Sequence, residues 1–270
     1  MCGIFGFTLT TPQQIAPAFE VLKTLETHQY PNEENPVGGH GAGVFFEDAN
    51  RKETFMKVGK TSESPAKTLA QKVLAVQSQA LIFIGHVRRA SPEFLHTISL
   101  RESTQPFVAS CGANLRVAAV HNGFVSNYLE IRKKLGLKHF FESEKENELI
   151  DSEIIPHFLE ELLLEGADPD EALNMLLGQL ENQNNAICML VLNSRRVGDR
   201  IAFLHTGKTR GLTVWSNRKG EVMFSSRKEP VKYAFGEFLE KRGFEEKLSI
   251  GWNEPKNIKP LIFPVLKGAE

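Results

Sequence analysis

Short apolar runs, separated by polar segments that contain glycine or proline, recur along the chain and predict β-strands. Runs of roughly four to eight apolar residues, rich in Val, Ile and Phe, are typical of strands buried on both faces. The first run directly follows the initiator methionine, and the second and third have the spacing of a hairpin. The predicted strands cover 2–7, 41–46, 54–58, 81–84, 115–120, 186–192, 201–205, 212–215 and 222–224.

Other stretches place apolar residues three or four positions apart, which predicts amphipathic helices. The first helix is expected to have Thr11 as its N-cap and Pro12 at its first helical position. Its predicted inward face comprises Ile15, Phe19, Leu22 and Leu25.

A second helix is predicted to begin at Ser64-Pro65. Its predicted inward face comprises Leu69, Val73 and Val76. Further helices are expected at 126–135, 151–164 and 230–241, and one more begins at Asp168-Pro169, where an aspartate cap precedes a proline. The polar segment 31–40 contains glycine and proline and predicts a loop.

The predicted strands come in clusters, and so do the helices, which differs from the regular alternation of a doubly wound fold. The chain has 270 residues, and it shows neither a repeat period nor a low-complexity linker. We therefore expect a single α+β domain spanning 1–270, in which helices cover the sheets.

The balance of charged residues bears on which kinds of partner the protein could bind. Lys and Arg total 32 and Asp and Glu total 33, for a formal net charge of −1. A balanced charge argues against binding to nucleic acid or to an anionic membrane. No apolar stretch approaches the length of a membrane span, and the N-terminus lacks the basic segment of a secretory signal.

The cysteines indicate a reducing environment. Cys2, Cys111 and Cys188 are far apart and contain no CxxC pair, so neither a disulfide framework nor a zinc site is expected. Free thiols are typical of a cytoplasmic protein. Cys111 and Cys188 are interpreted as inert.

Cys2 is the first candidate for chemistry. If Met1 is removed, Cys2 carries a thiol and an α-amine on one residue. The pKa of a free α-amine is about 7.7–8.0, so this amine could act as general base for its own thiol. The alternative is that Cys2 is only a small core residue at the start of a strand.

Three further segments carry candidate groups, each with an ordinary structural alternative. Asn122-Gly123 ends a strand with a side-chain amide beside a backbone N–H, which suits an oxyanion but also a hairpin turn. Arg88-Arg89 follows a strand and could bind a carboxylate or simply lie on the surface. Asp151 begins a helix, where Asp is also common as a cap.

Taken in order, these segments resemble the class II glutamine amidotransferase domain. The resemblance covers residues 2 to about 155, and the later strands add little to it. It is carried by the start Met1-Cys2-Gly3-Ile4-Phe5-Gly6, by Gly85-His86-Val87-Arg88-Arg89-Ala90-Ser91, by Glu102-Ser103-Thr104-Gln105-Pro106-Phe107, by Val120-His121-Asn122-Gly123 and by Asp151-Ser152-Glu153-Ile154-Ile155.

The resemblance implies the N-terminal nucleophile hydrolase fold, a four-layer αββα sandwich of two mainly antiparallel sheets. It implies that the mature chain is 2–270, that Cys2 is the nucleophile, and that no metal or organic cofactor takes part. The oxyanion hole would be Asn122 and Gly123. Arg88 would hold the substrate α-carboxylate and Asp151 its α-ammonium, with Ser91 lining the pocket. His86 and His121 are interpreted as packing or hydrogen-bonding residues.

The implied activity is hydrolysis of the side-chain amide of L-glutamine through a Cys2 thioester. Ammonia would pass to an acceptor or to a separate synthase subunit. One alternative is a hydrolase of γ-glutamyl amides or peptides, because the clamp recognises only the amino-acid end. A second alternative is a regulatory module that binds glutamine without turnover. Arg89 and Pro92 depart from the family pattern and concern the pocket rather than the nucleophile.

Overall fold

Twelve strands and six α-helices form the part of the chain that the structure describes. The computed structural model describes residues 1–112, 114–136, 139–146, 148–181, 184–208 and 210–266. The strands are β1 (Gly3–Gln14), β2 (Gly41–Glu47), β3 (Glu53–Gly59), β4 (Gln79–Arg88), β5 (Phe107–Ala109), β6 (Arg116–Asn122), β7 (Asn185–Leu192), β8 (Arg200–Thr206), β9 (Leu212–Ser216), β10 (Val222–Ser225), β11 (Glu245–Ile250) and β12 (Leu261–Pro264). The helices are α1 (Ala16–Thr27), α2 (Pro65–Leu74), α3 (Tyr128–Lys134), α4 (Ile154–Glu165), α5 (Pro169–Gln179) and α6 (Lys228–Lys241).

The strands form two sheets whose neighbouring strands are all antiparallel. The larger sheet has the order β11-β9-β10-β1-β4-β2-β3, and the smaller sheet has the order β12-β8-β7-β6-β5. The start of β1 pairs with the end of β4, with Gly3 opposite Val87. This register brings the N-terminus beside the residues that follow β4.

Alternation along the strands divides the interior into three apolar layers. In β1, Ile4 packs between the two sheets, whereas Phe5 and Phe7 pack against the helices that cover the larger sheet. In β7, Cys188 faces the space between the sheets and Met189 faces the helices of the smaller sheet. Helices α1, α2 and α6 cover the larger sheet and α3, α4 and α5 cover the smaller one. The expected αββα sandwich is confirmed.

The predicted start of the first helix is wrong. Strand β1 continues through Pro12 to Gln14, and the helix begins at Ala16 with Pro17 in its first turn. A register shift between Thr8 and Gln13 accommodates Pro12, which lacks the N–H that a regular ladder needs. The predicted inward face of this helix is fully buried.

The ends of three other helices, α2, α4 and α5, differ in detail from the sequence prediction. Ser64 caps α2 as predicted, by accepting a hydrogen bond from the Lys67 N–H, but α2 ends at Leu74 and Val76 is exposed. The side chain of Asp168 makes no cap hydrogen bond to α5. The segment 151–153 is a 3₁₀ turn ahead of α4.

The strands missed by sequence reasoning, β5, β11 and β12, all lie at sheet edges. Strands β5 and β12 have only three and four residues, which is short for a recognisable apolar run, and β11 is mostly polar and exposed. Among the described residues, no helix has the length and apolar character needed to cross a bilayer.

Candidate active site

All six predicted site residues line one cavity of about 490 Å³. They come from chain segments that meet where β1 begins and where β4 and β6 end. Both sheets contribute, because β1 and β4 belong to the larger sheet and β6 to the smaller one. The six residues are Cys2, Arg88, Ser91, Asn122, Gly123 and Asp151. A larger cavity of about 770 Å³, beside Arg116 and Arg200, contains none of them.

Cys2 is half-buried and lies between the side chain of Asn122 and the backbone of Arg89. Its N–H donates to Asn122 Oδ1 at 3.2 Å, which joins the two sheets. Its Sγ lies 3.4 Å from the Arg89 N–H, which donates to it, and 3.5 Å from the Arg89 carbonyl oxygen. Burial lowers the pKa of the adjacent Met1 amine.

A buried histidine directly precedes Asn122 and Gly123 and is fixed by two side chains. His121 hydrogen-bonds through Nδ1 to Ser152 Oγ and through Nε2 to Asn185 Oδ1, both at 2.9 Å. Burial lowers the pKa of His121 to about 4, so its ring is neutral. A Cβ on Gly123 would lie 2.2 Å from His121 Nε2, so only glycine fits here.

Gln105 fixes the end of β6 from the other side. Its Oε1 accepts from the His121 N–H at 2.6 Å and its Nε2 donates to the His121 carbonyl at 3.0 Å. This side chain thus satisfies both backbone groups of the residue that precedes Asn122. Gln105 lines the cavity too.

Arg88 is almost entirely buried, with 4% of its surface exposed. Thr97 holds its guanidinium: Nη1 donates to the Thr97 carbonyl at 3.1 Å and Nη2 donates to Thr97 Oγ1 at 2.7 Å. Burial lowers the pKa of Arg88 from its ordinary value, an effect opposed by Cys2 and Asp151. An arginine stays charged under these conditions and offers its remaining N–H groups to an anion.

Asp151 is the buried anion of the cavity. Its Oδ2 accepts from the Val125 N–H at 2.8 Å and from Ser152 Oγ at 3.4 Å. Burial raises the pKa of Asp151 to about 6, and these hydrogen bonds and Arg88 oppose the rise. Arg88 and Asp151 therefore give the cavity one positive and one negative group, which suits the two ends of an α-amino acid.

Several residues of the site were not assigned a role from the sequence. Thr97 and Gln105 lack any periodic signal, although Gln105 lies in one of the motifs that carry the resemblance. His40 accepts from the Ala90 N–H at 3.2 Å, and burial, followed by the Arg89 charge, lowers the pKa of His40 to about 4. Arg210 also lines the cavity.

The two histidines of the motifs have the structural roles expected of them. His121 forms the hydrogen bonds given above, whereas the ring nitrogens of His86 have no partner among the described residues. Burial lowers the pKa of His86 well below its ordinary value, so it packs as a neutral ring.

Comparison with known proteins gives sequence relatives but no matching protein-family model. The chain is 30% identical over 200 residues to glutamine–fructose-6-phosphate aminotransferase (isomerizing) of Sulfurisphaera tokodaii, and 34% identical over 199 residues to that of Methanothermobacter thermautotrophicus. Each match covers 73% of this chain and 29% of the relative. The chain thus matches less than a third of these relatives' length.

Among solved structures, the glutamine phosphoribosylpyrophosphate amidotransferase of B. subtilis, in complex with ADP and GMP, superposes with a TM-score of 0.58. The sequences are 19% identical, and the superposition covers 93% of this chain and 45% of that one. At this identity the likeness shows a shared fold, which agrees with the two antiparallel sheets and their helices.

Proposed function

The chain belongs to the class II glutamine amidotransferase family, and from this premise we propose that it hydrolyses the side-chain amide of L-glutamine to glutamate and ammonia. The observation that carries the proposal is the convergence of Cys2, Asn122, Arg88 and Asp151 on one cavity from both sheets. A thiol, an amide, a cation and an anion in that arrangement are what attack on a γ-amide requires.

The proposed reaction needs Met1 to be removed so that Cys2 carries a free amine. This amine takes the thiol proton, and the thiolate attacks the amide carbon. Asn122 Oδ1 faces the amine of Cys2, so its Nδ2 group points the other way and donates, with the Gly123 N–H, to the oxyanion. The C–N bond then breaks, and the ammonium of Cys2 returns its proton to the departing ammonia.

The remaining γ-glutamyl thioester is hydrolysed by water. The same amine accepts a proton from the water molecule, whose oxygen attacks the thioester carbon. The C–S bond breaks, the ammonium of Cys2 returns this proton to the departing thiolate, and glutamate leaves with the thiol restored. The protein groups named here suffice for each proton transfer.

The substrate clamp reads the amino-acid end of glutamine. Arg88, fixed by Thr97, would bind the α-carboxylate, and Asp151, fixed by Val125, would bind the α-ammonium. Ser91 lines the cavity and offers a hydroxyl to the same substrate.

We further propose that residues 1–270 form one type-2 amidotransferase domain and that the mature chain is 2–270. Its ammonia would go to a synthase partner or to another acceptor.

A second candidate, hydrolysis of γ-glutamyl amides or peptides, is favoured by the position of Met1. Met1 lines the candidate cavity and also a neighbouring cavity of about 300 Å³ beside Trp252. Glu34, Asn35 and Arg210 border both cavities. Removal of Met1 therefore opens space next to the Cys2 amine, where a leaving group larger than ammonia could lie.

The deciding experiment is the intact mass of the purified chain before and after incubation with 6-diazo-5-oxo-L-norleucine, a glutamine-shaped electrophile. We expect a chain that lacks Met1 and gains one adduct, mapped to Cys2. A Cys2→Ala variant should fold, take no adduct and release no ammonia from glutamine. A chain that keeps Met1 and stays unlabelled would refute the mechanism, and a Cys2→Ala variant with full biological function would favour the binding module.

A further inference from the structure

Four side chains of metal-ligand type meet outside the candidate active site. Cys111 follows β5, His139 lies ahead of the 3₁₀ turn Ser143–Glu146, and His157 and Glu160 lie one turn apart on α4. One ligand atom from each lies within 4.8 Å of those of the other three. Within the described part of the chain this is the only such group, and none of its members lines the 490 Å³ cavity. We call it the Cys111 cluster.

Three of the six distances between ligand atoms of the Cys111 cluster are close to the edges of a tetrahedron around one ion, and all six are within 4.8 Å. Cys111 Sγ lies 3.7 Å from His157 Nδ1, His157 Nδ1 lies 3.3 Å from His139 Nδ1, and His139 Nδ1 lies 3.5 Å from Glu160 Oε2. Bonds of roughly 2.0–2.3 Å to tetrahedral zinc place neighbouring ligand atoms about 3.3–3.6 Å apart. Each of these three edges is therefore within about 0.1 Å of that range.

A hydrogen bond behind His139 turns the lone pair of this ring toward the cluster. Glu161 binds His139 Nε2, so the lone pair of the neutral ring is on Nδ1, inside the cluster. This is the carboxylate–histidine arrangement common behind metal ligands. The Phe140 N–H donates to Cys111 Sγ at 3.4 Å, as backbone groups do toward a thiolate.

A buried oxygen of Glu160 is a second, independent observation that favours a bound cation. Its side chain is completely buried. Oε1 accepts from the Cys111 N–H at 2.6 Å and from the Gly112 N–H at 3.0 Å. Oε2, which faces His139, has no hydrogen-bond partner among the described residues. A buried carboxylate oxygen without a partner is costly, and a cation at the centre of the cluster would remove that cost.

We propose that the Cys111 cluster binds one zinc ion with a structural role. One thiolate and one carboxylate neutralise the two charges of the ion, and two neutral imidazoles complete four-coordination. A closed set of four protein ligands is typical of structural zinc sites. Thiolate and imidazole ligands also exclude magnesium and calcium, which prefer oxygen.

The ion would tie α4 to the segments that precede β6 and the 3₁₀ turn Ser143–Glu146. Helix α4 follows the 3₁₀ turn that begins with Asp151. The zinc site would therefore stabilise the helix that positions Asp151 without contacting the cavity. The inference does not depend on the proposed glutamine chemistry, because none of its ligands takes part in it.

The test is metal content and thermal stability of the full chain. Protein purified from zinc-containing medium and then desalted should contain one zinc ion per chain, measured by inductively coupled plasma mass spectrometry. Stripping the metal with a chelator should lower Tm by about 5 °C or more, and zinc should restore it. Cobalt in place of zinc should give tetrahedral visible bands and a thiolate charge-transfer band.

Matched variants locate the site. Cys111→Ser and Glu160→Gln should lose the ion and its Tm increment, whereas Cys2→Ser should keep both. Equal binding by all three variants, or a wild-type chain that takes up no zinc or cobalt, would overturn the proposal. If a variant fails to fold, the wild-type cobalt spectrum still decides, since the absence of a thiolate band excludes Cys111 as a ligand.

Discussion

At the scale of single residues, Asn122 connects Cys2, the proposed nucleophile, to the proposed oxyanion hole. Its Oδ1 accepts from the Cys2 N–H, and in the proposed mechanism its Nδ2 donates to the substrate oxygen. Loss of one oxyanion donor lowers kcat by about 10²–10³-fold. We expect the kcat of ammonia release to fall by this factor in Asn122→Ala, with KM changed much less.

The control is Asn127→Ala, which removes an amide outside the cavity. This variant should keep kcat within about twofold of wild type.

Asp151 makes the predicted affinity for glutamine depend on pH. Burial raises its pKa to about 6, so Asp151 is ionised at pH 7 and protonated at pH 5. Only the ionised form attracts the α-ammonium, so we expect the Kd of glutamine to rise about tenfold from pH 7 to pH 5. Calorimetry with Cys2→Ala measures Kd without turnover.

The matched variant for the pH experiment is Asp151→Asn in the Cys2→Ala background. It removes the titrating group, so it should bind weakly with the same Kd at both pH values. A tenfold change that persists in this variant would assign the pH dependence to another group.

The sequence singled out these residues as candidates but not the side chains that support them. Cys2, Asn122 and Arg88 lie in motifs that recur in a known order, and the cavity unites them. Thr97 carries no comparable signal, because a threonine that binds a buried guanidinium looks like any other threonine. The Cys111 cluster was missed for a related reason, since its ligands come from three distant segments rather than a CxxC pair.

At the scale of elements, the 3₁₀ turn Pro92–Thr97 positions Arg88. Thr97→Val keeps the shape of the side chain but deprives Arg88 Nη2 of its acceptor. A buried donor left unsatisfied costs about 1 kcal/mol or more, so we expect KM for glutamine to rise about five- to tenfold with kcat within twofold. Steady-state kinetics would separate the two constants.

Thr8→Val is the control for Thr97→Val. The hydroxyl of Thr8 is buried and has no hydrogen-bond partner among the described residues, so its removal should leave KM unchanged. A fall in kcat with constant KM in Thr97→Val would contradict a positioning role for Thr97 at the clamp.

Strand β2 approaches the segment that carries Gln105 so closely that a side chain cannot fit between them. A Cβ on Gly43 would lie 2.2 Å from the Gln105 carbonyl oxygen. Gly43→Ala should therefore lower the free energy of unfolding by about 1–3 kcal/mol and should also reduce kcat, because Gln105 holds His121. Denaturant unfolding and ammonia release measure the two effects.

Gly236→Ala is the matched glycine substitution. Gly236 lies inside α6, and an added Cβ would have no atom of the described residues within 4 Å apart from the backbone of its own helix, so alanine should raise stability by about 0.5–1 kcal/mol. Equal destabilisation by both substitutions would rule out the close approach at Gly43 as the cause.

At the scale of the whole molecule, sequence patterns established the layers but not their assembly. Apolar runs such as 186–192 predicted strands buried on both faces, and the structure places them in the centre of the sandwich. The pairing of β1 between β4 and β10 joins residues far apart in the chain, and no local pattern encodes it. Strands β5, β11 and β12 are too short or too polar to show a pattern of their own and stayed hidden, whereas the edge strand β3 was predicted.

The arrangement of the whole cavity also bears on the choice between the two candidate substrates, L-glutamine and a γ-glutamyl peptide. The proposed clamp of Arg88 and Asp151 would fix only the amino-acid end, while the space that removal of Met1 would open lies at the proposed leaving-group end. Ordering an added residue there costs conformational entropy, so we expect kcat/KM for L-glutamine to exceed that for γ-glutamyl-alanine by about tenfold. D-Glutamine, which misplaces one end of the clamp, should react about 100-fold more slowly than L-glutamine. If γ-glutamyl-alanine were instead the faster substrate, with the D-isomer still poor, the clamp would stand and the peptide hydrolase would replace the amidotransferase as the proposed function.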